Sequence, residues 1–115
     1  MSQTLQIKIK PRHPANVDDE LGRKECGSYA GITPDEAWER GRAAWSLDPG
    51  RVFEKVGEVE IIDHDDIVIA IALLDGLVRH PGNKYEITGT VQAHDPRIGQ
   101  PSSHPHPSRN RINYY

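Results

Sequence analysis

Histidine and acidic residues are the side chains of this sequence whose types could perform chemistry, and they form two short clusters, His104–His106 and Asp63–Asp66. A zinc site needs three or four rigidly held ligands, oriented by further hydrogen bonds. The proline-interrupted segment around His104 does not supply that rigidity, so we predict neither a bound metal nor a cofactor. Acid–base catalysis needs a pocket that separates the pKa values of two groups. Four polar residues in a row between two strands, as at 63–66, are instead typical of a solvated turn.

Motifs for nucleophilic catalysis and phosphate binding are not found in the sequence. Cys26 is the single cysteine, which excludes an intramolecular disulfide, and no activating base lies near it in sequence. Gly22, Gly27 and Gly31 are too dispersed for a phosphate-binding loop. We therefore predict that the chain is not an enzyme, and we assign no catalytic residue.

Cationic and aromatic side chains indicate binding instead of catalysis. Arginine and tyrosine are over-represented at protein interfaces, and guanidinium groups beside aromatic rings also suit phosphate recognition. Two segments carry such residues, a long loop and the C-terminal end. The predicted binding residues are Arg23, Lys24, Tyr29, Arg109, Asn110, Arg111, Tyr114 and Tyr115.

Charge is distributed unevenly along the chain, whose formal net charge is −3. Residues 16–75 contain 15 acidic and 6 basic side chains, whereas both ends are basic. An acidic middle disfavours a broad nucleic-acid footprint, which normally needs a strongly basic face. A small basic patch at the meeting point of the termini stays an alternative. It would use Lys8, Lys10, Arg109 and Arg111.

The apolar run Ile67–Leu74 is the element around which the rest must be positioned. It is rich in β-branched residues and too short to span a bilayer, so we predict a strand buried on both faces at the centre of a sheet. Alternating residues at Thr4–Lys10 predict an N-terminal edge strand, and Asp75-Gly76 predicts a two-residue hairpin turn. Pro81–Asn83 predicts a second turn. The further strands are expected at 58–62, 77–79 and 85–91.

Two helices are predicted from their start signals. Thr33, followed by proline and by glutamate three residues later, forms a capping box, which predicts a helix from Pro34 to about Ser46. Trp38 and Trp45 would then share one stripe against the sheet, and Gly41 would allow a close approach. A second helix is expected from Pro49 to about Val56, ended by Gly57 and burying Val52, Phe53 and Val56.

These elements predict an α+β fold, in which an antiparallel β-meander packs against an N-terminal strand and two helices. A partly closed small barrel is compatible with this many short strands. We assign residues 1–93 to a single domain and residues 94–115 to a Pro/His/Arg-rich C-terminal arm. The arm either straps over the domain through its aromatic end or folds on a partner.

Several short segments together form a recognisable pattern: Gly41–Trp45, Leu47–Pro49, Arg51-Val52, Asp75-Gly76, Tyr85–Gly89, Arg109-Asn110 and Tyr114. On these residues the chain resembles small uncharacterised α+β proteins of actinobacteria and their phages over about Thr33–Tyr115, and the order of its elements is similar to small barrel-like RNA-binding modules of the PUA and ASCH type. The first resemblance implies a phage protein that binds a host protein and modulates it, and the second implies nucleic-acid binding.

From the residues and the resemblance together, we expect a non-enzymatic, cytoplasmic binding protein whose partner is another protein. A small nucleic-acid-binding module is the alternative. We expect no membrane contact, and an exposed edge strand or the arm could pair two copies.

Overall fold

An open mixed sheet of five strands, with two helices packed on one face, is the framework of the molecule. The computed structural model describes residues 3–11, 13–14, 25–43, 45–106 and 112–115. The helices are α1 (Pro34–Gly41) and α2 (Pro49–Lys55). The strands are β1 (Gln3–Lys8), β2 (His13–Pro14), β3 (Glu25–Cys26), β4 (Val56–Ile62), β5 (Val68–His80), β6 (Lys84–Val91) and β7 (Ile112–Tyr114).

The strand order in the main sheet is β6-β5-β4-β1-β7, and β2 and β3 form a separate short ladder. Strands β4, β5 and β6 form the predicted antiparallel meander, which confirms the α+β class. The sheet does not close into a barrel. The prediction that the N-terminal strand is an edge strand is wrong, because β1 pairs parallel to β4 on one side and antiparallel to β7 on the other.

The predicted strand forms the start of β5, but its predicted burial is wrong at both ends, because Ile67 is half-buried before the strand and 49% of Leu73 is exposed. Residues 68–72 are buried on both faces, although the middle position of the sheet belongs to β4 and not to β5. The hairpin predicted at Asp75-Gly76 is wrong. The strand continues through both residues, and Asp75 is the extra, bulged residue between the Leu74–Gly89 and Gly76–Thr88 pairs. The chain turns instead at Pro81–Asn83, where Gly82 and Asn83 adopt positive φ.

Helix α1 begins as predicted. Thr33 Oγ1 accepts a hydrogen bond from the Glu36 backbone N–H at 3.3 Å, which satisfies one of the free amides of the first turn. Gly41 lies so close to the sheet that an added Cβ would be 2.8 Å from Cδ1 of Ile61. The predicted close approach at Gly41 is therefore confirmed.

The end of α1 differs from the prediction, because the helix ends at Gly41 and not near Ser46. The following residues turn onto the edge of β6, where Trp45 and Tyr85 exchange two backbone hydrogen bonds of 2.8 and 3.0 Å, and Ile87 N–H donates to the Arg42 carbonyl. Hydrogen bonds to an otherwise open strand edge replace a further helical turn. Trp45 therefore does not share a helical stripe with Trp38.

Helix α2 also starts at its predicted cap, where Asp48 Oδ1 accepts from the Arg51 backbone N–H. It ends at Lys55, and Val56 is already extended and starts β4. Val52 and Val56 are buried as expected, but the predicted burial of Phe53 is wrong, because 62% of this residue is exposed. Successive residues of a helix are rotated by about 100° around its axis, so Phe53 lies away from the side on which Val52 is buried.

The two faces of the sheet are covered differently. The helix face packs its apolar residues against Ala37 and Trp38 of α1 and Val52 of α2. The other face is covered by residues 95–106, which we name the strap. Ile98 of the strap packs against the apolar residues near the start of β5, and Gly99 and Gln100 exchange backbone hydrogen bonds with Val68.

Candidate functional site

A groove of about 450 Å³ lies where the connection between the helices meets the first residues of both edge strands. We name it the aromatic groove. Its volume is in the range of ligand-binding pockets. The residues that line it are Trp45, Ser46, Asp48, Arg51, Lys84, Ile112 and Tyr114.

The aromatic walls of the groove are held rigidly. The Trp45 indole Nε1 donates to the Gly41 carbonyl at 2.6 Å, so the ring is fixed against the end of α1. Tyr114 is held in β7, and its hydroxyl is hydrogen-bonded by the Asp48 backbone. Burial raises the pKa of Tyr114, against the opposing effect of that hydrogen bond, so the hydroxyl is neutral at pH 7.

Two cations contribute the charge of the groove. The Arg51 guanidinium lies over the Tyr114 ring, 4.1 Å from its centroid, and its Nε makes a long 3.4 Å contact with the Gln3 side chain. Lys84 is exposed at the first residue of β6. Within the residues that the structure describes, neither side chain forms an ion pair. The one acid of the groove, Asp48, uses Oδ1 for the cap of α2.

Some of the other described cations form ion pairs with carboxylates. Arg97 contacts Glu58 and Asp95 at 2.7–2.8 Å, and Lys8 contacts Asp66 at 3.0 Å. The hydrogen bond from Arg97 lowers the pKa of Asp95 to about 2. Among the described residues, the Arg51 side chain therefore differs from that of Arg97, on the opposite face of the sheet, in having no carboxylate partner.

A second pairing of this kind lies at the edge of β6. Arg42 contacts both Glu39 and Glu86, and His80 Nε2 lies 3.0 Å from Glu86. Burial alone would raise the pKa of Glu86, but the hydrogen bonds from His80 and Arg42 outweigh it and lower the pKa. These contacts hold the end of α1 to β6 and leave the Glu86 carboxylate occupied.

The strap covers a buried polar cluster centred on Glu60, which is only 1% exposed. Its carboxyl group accepts hydrogen bonds from Gln6 Nε2 at 2.8 Å, from Ser102 Oγ at 2.7 Å and from the Tyr115 hydroxyl at 2.7 Å. Burial, together with Glu60, raises the pKa of Tyr115 to about 12. Because three donors from three segments occupy the carboxyl group, the cluster fastens the C-terminal residues to the sheet.

The histidine and acidic segments have structural contacts. His104 stacks on Tyr115 with ring centroids 3.9 Å apart, and the residues 63–66 form the predicted turn, in which Asp63 Oδ1 accepts two backbone N–H groups. Among the described residues, no three His, Cys, Asp or Glu side chains are placed to hold one metal ion.

The residues predicted from the sequence to bind a partner do not form one site. Tyr29 packs under Arg40 of α1, Tyr114 lies in the aromatic groove, and Tyr115 lies in the polar cluster on the opposite face of the sheet. The other five predicted binding residues lie outside the described residues. They are Arg23, Lys24, Arg109, Asn110 and Arg111.

Sequence reasoning missed most of the aromatic groove. Trp45 was placed on a core stripe, and Arg51 and Lys84 were not singled out, because they are 33 residues apart and belong to different elements. The strand predicted at 58–62 contains Glu60, but the sequence carries no indication that this carboxyl group is buried. The only sequence signal for the groove was the aromatic character of Trp45 and Tyr114 itself.

Comparison of the chain with protein-family models, curated proteins and solved structures gives no match. The fold and the aromatic groove define the molecule as an α+β protein with an aromatic, cationic groove. None of the described helices has the length and apolar character needed to cross a membrane.

Proposed function

We propose that this protein is a non-enzymatic binding protein and that its partner is another protein. The observation that carries the proposal is the aromatic groove, in which Trp45 and Tyr114 line a concave surface beside Arg51. Tryptophan, tyrosine and arginine are the residues in which interface binding energy is concentrated. The rigid walls support this use, because a preorganised surface loses little conformational entropy on binding.

The resemblance to small proteins of actinobacteria and their phages supports a narrower form of the proposal. In that form the chain is a phage-encoded effector that binds and modulates a host protein in the cytoplasm.

Capture from a bacterial lysate tests the proposal. The full chain is immobilised, the lysate is treated with nuclease, and each captured protein is then purified and its direct affinity measured. We expect a host protein whose binding weakens about tenfold or more in Arg51→Ala, a loss typical of an interface anchor residue. The matched control is Lys10→Ala, because Lys10 is an exposed cation outside the groove. It lies just beyond the last residue of β1, whereas Arg51 contacts Gln3 at the first residue of that strand.

Point variants are used instead of deletion of the C-terminal arm. Deletion would remove Ser102 and Tyr115, two of the donors to the buried Glu60, and would therefore disturb the fold. Recovery of RNA without a protein partner, or a captured protein that binds Arg51→Ala as tightly as the parent chain, contradicts the proposal.

A nucleic-acid-binding function is the second candidate, since cations beside aromatic rings also suit single-stranded nucleic acid. Binding of a single-stranded oligonucleotide with a steep dependence on salt would favour it, because each phosphate contact releases counterions. Weak binding that changes little with salt would exclude it.

A further inference from the structure

We propose that the aromatic groove receives an acidic segment of the partner protein, with a carboxylate bound between Arg51 and Lys84 and a neighbouring apolar or aromatic side chain against Trp45 and Tyr114. This inference rests on the proposed function and names the chemistry of the partner.

Charge complementarity is the first argument. The chain has a formal charge of −3, yet the groove contains two cations and one acid. In the described residues the side chains of Arg42 and Arg97 each form ion pairs with two carboxylates, whereas the side chains of Arg51 and Lys84 form none. A carboxylate of a bound partner would therefore give these two side chains the ion pairs that Arg42 and Arg97 form within the chain.

The second argument is the arrangement of the rings. The Arg51 guanidinium already lies over Tyr114, so its position is fixed before a ligand arrives. Its Nε contacts Gln3, so a planar, bidentate carboxylate would be bound by the two terminal Nη groups. The Trp45 ring, fixed by its bond to the Gly41 carbonyl, offers an apolar surface for the next side chain of the segment.

The acid of the groove favours a peptide over nucleic acid. A nucleic-acid groove follows the backbone with a series of cations, because every nucleotide brings a phosphate. Here Asp48 lies among the lining residues with only two cations, and Glu54 of α2 is a further exposed acid of the helix that Asp48 caps. A segment with one or two carboxylates fits this charge pattern, while a chain of phosphates would meet Asp48.

Selection of a phage-displayed library of random heptapeptides against the immobilised full chain tests the inference. We expect the selected peptides to be enriched in Asp and Glu beside an aromatic or aliphatic residue. The most enriched peptide is then labelled with fluorescein, and its affinity is measured by anisotropy with the parent chain, Arg51→Glu, Lys84→Glu and the control Lys10→Glu. Charge reversal in the groove should weaken binding about tenfold or more, and the control should change it less than about twofold.

The two groove variants are chosen to keep the fold. Arg51 is the third residue of α2, a position that favours glutamate near the helix N-terminus, and Lys84 is exposed. Selection of peptides without acidic residues, selection of none, or equal affinity for Arg51→Glu would overturn the inference. Displacement of the peptide by a single-stranded 15-mer of deoxythymidine would also overturn it and would identify a nucleic-acid site. If the lysate partner still depends on Arg51 while the selected peptides are not acidic, the proposed function stands and this inference alone fails.

Discussion

Replacement of Tyr115 by phenylalanine tests whether the buried carboxyl group of Glu60 fastens the C-terminal end to the sheet. The substitution removes one hydroxyl, whose donor bond to Glu60 Oε2 is 2.7 Å long. Because the pKa of Tyr115 is raised to about 12, the hydroxyl is protonated at pH 7 and acts as the donor. Glu60 is 1% exposed, so water cannot replace the lost hydrogen bond without rearrangement.

The magnitude follows from the loss of one hydrogen bond to a buried acceptor. Such a loss costs about 1–3 kcal/mol, and we expect the free energy of unfolding to fall by about 2 kcal/mol. The melting temperature should fall by about 8 °C, because a chain of this length loses about 4 °C per kcal/mol. Urea unfolding followed by circular dichroism measures the change, which should be the same at pH 7 and pH 9, both below the ordinary pKa of tyrosine.

Tyr85→Phe is the matched control for this prediction, since its hydroxyl has no hydrogen bond within the residues that the structure describes. It should change the free energy of unfolding by less than about 0.5 kcal/mol. Ser102→Ala combined with Tyr115→Phe should be non-additive by at least about 0.5 kcal/mol, because both donors share the Glu60 carboxyl group. Equal effects of Tyr115→Phe and Tyr85→Phe would refute the reasoning and would mean that water reaches Glu60.

Three further predictions concern packing, charge and exposure. Gly41→Ala should lower the free energy of unfolding by about 1 kcal/mol, because overpacking against Ile61 exceeds the gain in helix propensity, and thermal melting should show partial rescue by Ile61→Val. The ion pair of Asp95 with Arg97 depresses the carboxyl pKa from 3.8 to about 2. This shift corresponds to a stabilisation of the folded state of at most about 2.5 kcal/mol, which solvent screening of the partly exposed pair reduces to about 1 kcal/mol. This stabilisation is present above pH 4 and is lost as the pH falls towards 2, so the deficit of Asp95→Asn in urea unfolding should disappear at pH 2; an equal deficit at both pH values would contradict it. Phe53→Ser should leave the free energy of unfolding within about 0.5 kcal/mol of the parent chain, because 62% of the residue is exposed, and a loss above 1 kcal/mol would show that the ring is packed.

Local signals in the sequence predicted the starts of elements well. Thr33 and Asp48 were identified as helix caps, and both accept the expected backbone N–H group. The reason is physical, because a cap depends on atoms within three residues of each other. The turn at Pro81–Asn83 also needs only a few neighbouring residues with positive φ.

Local signals failed where a distant strand competed with them. Asp75-Gly76 has the residues of a tight turn, but continued pairing of β5 with β6 satisfies more backbone groups, and the pair becomes a bulge. The last predicted turn of α1 was lost to hydrogen bonds with Tyr85 and Ile87 on β6. In both cases the competing partner lies on another strand, beyond the few neighbouring residues from which turn and helix signals are read.

The sequence by itself determined the α+β class, the helix starts and the buried apolar run, because each depends on the pattern of neighbouring residues. Only the tertiary structure decided that β1 runs parallel to β4 inside the sheet, that Glu60 is covered by the strap, and that residues 45, 51, 84 and 114 share one groove. Those outcomes depend on which strand edges pair across about 50 residues of chain. That choice is set by the total burial and hydrogen bonding of the whole sheet.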